Sequence, residues 1–137
     1  MSWNAGARTK LEVMVLRDTG TITTGDGKDY QAFPWQLGEI VAAYMMLRTL
    51  GTTSGLTSIM LNKTFEDGTA AADILSSVLS IAYDASDKFT RLDMGDVSDK
   101  QLRRGDELRL DVDAIPGGSD SAGLHVHVLV RVQASNP

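Results

Sequence analysis

The chain has no cysteine among its 137 residues, which excludes disulfides, thiolate nucleophiles and every zinc site built with sulfur. Histidine is nearly as scarce. His125 and His127 are the two in the chain, too few for a metal centre made of imidazoles alone. Aromatic residues make up 6%, and Trp3, Phe33 and Trp35 are too scattered to form a stacking platform for bases. Thirteen basic residues against 18 acidic ones give a formal charge of −5. The clustered basic pair, Arg103-Arg104, is followed at once by Asp106 and Glu107, whereas phosphate-backbone binding needs a concentrated basic surface. Long apolar runs are also missing: residues 40–50 are interrupted by Arg48 and are too short to span a bilayer, and residues 1–10 lack the apolar core of a signal peptide. The expectation is a soluble, non-secreted protein with neither a nucleic acid nor a membrane as partner.

What the chain does have is strand patterning. Its length suits a single domain, residues 1–137, able to bury roughly two thirds of the surface it exposes when unfolded. Residues 11–16, LEVMVL, alternate Leu11, Val13 and Val15 on one face with Glu12 on the other, and Asp18 and Gly20 then break the strand. Thr21, Thr23 and Thr24 lead into Gly25-Asp26-Gly27, a composition that predicts a hairpin turn, and Pro34 makes residues 33–37 an edge strand or a loop. Residues 40–50, IVAAYMMLRTL, suit a helix by their alanines and methionines and a strand by context; strand is the reading adopted. Residues 67–77, DGTAAADILSS, predict a short helix capped by Asp67 or Thr69. Residues 78–83 and 88–94 return to strand composition. Leu108, Leu110 and Val112 then alternate against Arg109, Asp111 and Asp113, and Leu124, Val126, Val128, Val130 and Val132 form a last apolar stripe. About eight short strands with turns between them predict a mainly β fold, an antiparallel β-sandwich or jelly-roll-like barrel with one short helix.

The chemistry is thin. His125 and His127 lie two apart on a strand, so they project together and are able to grip one ion. A further ligand would have to be a carboxylate, an amide or a group from another subunit. Cupin proteins carry HxH on a jelly-roll strand, with a downstream glutamate and another histidine; Leu129, Val130 and Arg131 stand here instead. The plain outward face of a strand is therefore the reading adopted, with no metal and no cofactor. Arg104-Gly105-Asp106 spells an adhesion tripeptide but is also good turn chemistry. The acidic positions Asp93, Asp96, Asp99, Asp111, Asp113 and Asp120 do not reproduce an EF-hand spacing. There is no GxSxG elbow and no phosphate loop, so no catalytic residue is assigned. Trp35, Tyr44, Met45 and Met46 belong either to the core or to a contact with a neighbouring subunit.

Residues 66–84 (EDGTAAADILSSVLSIAYD) and 97–132 carry a resemblance. Gly105-Asp106, Leu108, Leu110 and Val112, then Pro116-Gly117, then the valine-rich residues 126–132, resemble small virion proteins of tailed bacteriophages. The resemblance implies a capsid decoration (cement) protein, a homotrimer on the outer surface of a phage head that bridges major capsid subunits. It would be made in the host cytoplasm and carry no catalytic residues. Such proteins lay a terminal arm on the capsid lattice, so the resemblance makes residues 1–10 a capsid-contacting arm, with Trp3 as anchor and Arg8 and Lys10 suited to an acidic shell. The alternatives are a tail or fibre component of the same fold, or a small jelly-roll metal-dependent enzyme using His125 and His127.

Overall fold

The computed structural model describes residues 9–51, 54–64, 72–75, 77–93, 101–117 and 121–133. Strands with one apolar face bury it by stacking two sheets, and that is the arrangement found. The strands are β1 (Thr9–Thr21), β2 (Gly25–Ala32), β3 (Leu37–Thr49), β4 (Leu56–Thr64), β5 (Ala72–Asp73), β6 (Leu79–Ala82), β7 (Phe89–Asp93), β8 (Gln101–Arg103), β9 (Glu107–Ala114) and β10 (Ala122–Gln133). One sheet has the order β1-β10-β3-β7, with β8 also on β3; the other has the order β2-β9-β4-β5, with β6 also on β4. β7 and β8 line successive stretches of β3, and β5 and β6 successive stretches of β4. With each couple taken as one broken strand, the ten strands become eight. They pair first with last, second with second-to-last, and so inward, which is the nested order of a jelly roll.

β10 shows most directly why the sheets stack. Leu124, Val126, Val128, Val130 and Val132 are fully buried, while His125, His127, Leu129 and Arg131 alternate outward. Leu108, Leu110 and Val112 of β9, with Ile59 and Leu61 of β4, join the same core from the other sheet. Each of these side chains contributes about 1.5–3 kcal/mol by leaving water. Two polar contacts, the first part-buried and the second exposed, tie the layers at their ends. The Lys63 ammonium donates to the Gln101 carbonyl at 2.8 Å, and the Arg17 backbone N–H donates to Asp29 Oδ2 at 2.8 Å.

Residues 40–50 are strand, and a bulge explains their ambiguous pattern. Leu129 opposes Ala42 while Val130 opposes Ile40, so β3 carries one extra residue there. Ile40 and Ala43, three apart, both face the core. That single insertion breaks the period of two and imitates a helical spacing.

Two sequence expectations are corrected. The helix over residues 67–77 is not found: no helix occurs among the described residues, and Asp67 and Thr69, its expected caps, lie outside them. Ala72 and Asp73 instead pair with Lys63 and Asn62 of β4, and the Ile74 N–H bonds the Leu61 carbonyl at 3.0 Å. Ile74 and Leu75 are both buried; an unpaired strand edge and a core to fill outweigh the helix propensity of three alanines. The hairpin expected around residues 25–27 is not one either, since β1 and β2 lie in different sheets. Residues 22–24 carry the chain across, with Ile22 buried and its N–H bonded to the Ser121 carbonyl at 2.9 Å. Gly27, at φ +70°, serves the irregular start of β2, where an added Cβ would strike the Tyr30 hydroxyl.

Candidate functional site

The outer face of the β1-β10-β3-β7 sheet collects the candidate residues. Cross-strand register places Arg17, His125 and Met46 in one row with Phe89, and Val15, His127 and Tyr44 in the next row with Arg91. Val13 and Leu129 follow, then Leu11 and Arg131. Tyr44 stacks on Phe89 with ring centroids 5.5 Å apart, and the Arg91 guanidinium lies over the Tyr44 ring at 5.1 Å. Both histidines therefore point outward, flanked by arginine, valine, methionine and tyrosine. Partial burial holds the His127 imidazole below the ordinary histidine range, helped by the charges of His125 and Arg17. Among the described residues no group of three His, Asp or Glu side chains is positioned to hold a metal ion.

The β1 alternation seen in the sequence is present, but its apolar face is turned the unexpected way. Met14 and Leu16 enter the core, whereas Leu11 is 58% and Val13 50% exposed. Both faces of this strand are apolar, so alternation alone did not distinguish them. Among the four side chains that had two readings, Met45 is core and Trp35 packs against it, edge-on to Phe33 at 5.3 Å. Tyr44 and Met46 lie half-buried on the outer face.

The outer face of the second sheet has another chemistry. Arg109 Nε donates to Asp111 Oδ1 and its Nη2 to Asp111 Oδ2, each at 2.8 Å, and Nη2 also donates to Asn62 Oδ1 at 3.2 Å. Asn62 Nδ2 in turn donates to Asp73. The Gly27 N–H donates to Asp111 Oδ1 at 2.9 Å. Burial raises the Asp113 carboxyl above its ordinary range, and the neighbouring Asp111, Asp73 and Asp26 raise it further. The hydrogen bond from Arg109 to Asp111 raises the arginine in turn. Of the calcium candidates, Asp111 is occupied by Arg109, while Asp96, Asp99 and Asp120 lie outside the described residues. The adhesion tripeptide is a turn. Gly105 has φ +96°, and Asp106 is 1% exposed, its Oδ2 accepting the Arg103 N–H at 2.9 Å.

A cleft of about 400 Å³ lies between the free edges of β1 and β2, lined among others by Val13, Met14, Arg17, Asp29, Pro34 and Trp35. Of the arm expected at residues 1–10, Thr9 and Lys10 are the first residues of β1, and the rest lies outside the described residues.

These features define an all-β jelly-roll sandwich whose distinctive chemistry sits on two broad outer faces. The chain is similar to a chain in the capsid of Ralstonia phage GP4, with 11% identity, a TM-score of 0.61, and coverage of 98% of this chain and 91% of that one. It is also similar to one in the cyanophage Pam1 capsid asymmetric unit, with 16% identity, a TM-score of 0.55, and coverage of 96% and 90%. No family model matches the chain, and no curated protein matches it. At such identities the likeness is one of fold. The neighbours come from phage capsids, in keeping with the resemblance to phage virion proteins carried by residues 66–84 and 97–132.

Proposed function

We propose that this is a structural virion protein, a capsid decoration (cement) protein. It binds the outer surface of a phage head as a homotrimer and stabilises it by bridging major capsid subunits, adding buried contact area rather than chemistry. The observation that carries this reading is a jelly roll matched along nearly its whole length by chains of two phage capsids. The two broad outer faces support a role exercised by surfaces. Residues 1–8 serve as an arm on the lattice with Trp3 as anchor. Lys10 sits within β1 beside Glu12 at 3.1 Å, so the basic contact of the arm falls to Arg8.

The test combines native mass spectrometry of the untagged protein with cosedimentation on empty heads of the phage that encodes it. A metal-free trimer that sediments with heads is the expected result. A monomer or dimer carrying one transition-metal ion per chain would overturn the reading and move attention to His125 and His127. Sedimentation with tails but not heads would relocate the protein to the tail. Deleting residues 1–8 should weaken head binding; full binding without them would remove the role of the arm.

A further inference from the structure

We propose that the outer face of the β1-β10-β3-β7 sheet is the surface that lies on the shell, and that it recognises an acidic protein surface with an apolar centre. This rests on the decoration reading and names the face that reading leaves open. The face is apolar where a solvent-facing sheet would be polar. Leu11 and Val13 are at least half exposed, Phe89 is 48% exposed, and Leu129 and Met46 lie between them, half-buried. Aliphatic and aromatic side chains gathered in one exposed patch mark a contact surface.

Charge identifies what covers it. The protein as a whole is acidic, at −5, yet strand register and alternation place Arg17, Arg48, Arg91 and Arg131 on this face against two carboxylate positions, Glu39 and Asp93. Among the described residues, the opposite face presents Glu107, Asp111, Asp113 and Asp73 around the cation Arg109. Two copies meeting through the arginine face would set like charges together, which disfavours a self-contact there. An acidic partner gains from the same arrangement, and the carboxylate face then points to solvent. Nucleic acid fits poorly, because Leu11, Val13 and Leu129 have no counterpart in a phosphate backbone. β1, β10 and β3, of 12 or 13 residues, are about 40 Å long and β7, of 5 residues, about 17 Å; spaced about 4.8 Å apart they give a footprint of roughly 700 Å². That is close to the roughly 800 Å² that one partner contributes to a stand-alone interface, and several subunits engaging one lattice strengthen the attachment.

Whole empty heads are therefore the probe. The double variant Val13→Glu/Arg17→Glu alters exposed positions of this face, and Asp113→Lys alters an exposed position of the other; thermal melts establish that each is folded. Wild-type protein should sediment with heads, the double variant should bind at least about 30-fold more weakly, and Asp113→Lys should stay within about threefold. Undiminished binding by the double variant, with loss in Asp113→Lys, overturns the assignment of the face and leaves the decoration reading standing. Failure of the wild type to bind heads overturns the decoration reading itself. A native mass spectrum in which the double variant alone falls to monomers makes the face a self-contact and also overturns the proposal, as does a DNA mobility shift at moderate salt that the double variant abolishes.

Discussion

The two outer faces of the sandwich share a plan and treat charge in opposite ways. Each is the solvent side of a five-stranded antiparallel sheet over the same apolar core. On the β2-β9-β4-β5 side the charges are engaged with one another: Arg109 is chelated by Asp111, which also receives the Gly27 N–H, and Asn62 links the pair to Asp73. On the β1-β10-β3-β7 side Arg17 and Arg48 are exposed, and Leu11 and Val13 stand in water. The inward residues of both sheets are dictated by packing, whereas the outward residues are not. One face has used that freedom for an internal network. The other has apolar area and positive charge exposed, as the proposed contact with an acidic surface requires.

The largest effect expected from this contrast is at Arg109. Arg109→Met leaves Asp111, whose side chain is 5% exposed, with the Gly27 N–H as its remaining donor among the contacts described. Removing one partner of a fully buried pair costs about 3–5 kcal/mol. The Arg109 side chain is 24% exposed, so about 2–3 kcal/mol is expected, or a fall in Tm of roughly 10 °C. Urea unfolding with an unchanged slope measures it. A loss under about 0.5 kcal/mol would show the network to be ornamental and would dissolve the contrast.

How much of this was legible beforehand follows from which residues had a single explanation. The alternations in β9 and β10 read directly, because valine or leucine occupies every inward position and charged or histidine side chains most outward ones. β1 was legible as a strand but not as to its sides, since Met14 and Leu16 compete with Leu11, Val13 and Val15. β5 was hidden because two residues are too short to carry a period, and the alanines around them suit a helix; only the free edge of β4, a tertiary fact, decides for a strand. The split of charge between faces was invisible for the same kind of reason. Arg17, Arg48, Arg91 and Arg131 are scattered through the sequence, and sheet order alone makes them neighbours.

A smaller effect separates the faces by pH. His127 has a folded-state pKa below its ordinary 6.5, so below pH 6.5 the unfolded chain binds more protons than the folded one. The stability associated with neutral His127 is present above pH 6.5 and is lost as pH falls through the folded value. Asp113 has the opposite sign, because its pKa is raised above 3.8. The folded state then holds the extra proton, and stability is gained as pH falls toward 3.8. His127→Gln should flatten the stability curve just below pH 6.5, and Asp113→Asn should flatten it just above pH 3.8. Urea midpoints taken across both windows provide the check, and a His127→Gln curve that still bends below pH 6.5 would assign that window to another group.

The smallest effect is the counterpart of the first on the other face. Arg131 and Glu39 oppose each other across β10 and β3, with Nη1 and Oε1 3.7 Å apart and side chains 40% and 26% exposed. Water screens such a pair, and holding two long side chains together offsets most of what attraction remains. Arg131→Gln should therefore change stability by less than about 0.5 kcal/mol, and a double-mutant cycle with Glu39→Gln should give a coupling of the same small size. A coupling above about 1 kcal/mol would mean that the arginine face is organised internally, as the carboxylate face is. Its charges would then be partners of one another, and the argument that they await an acidic surface would fail at Arg131 first.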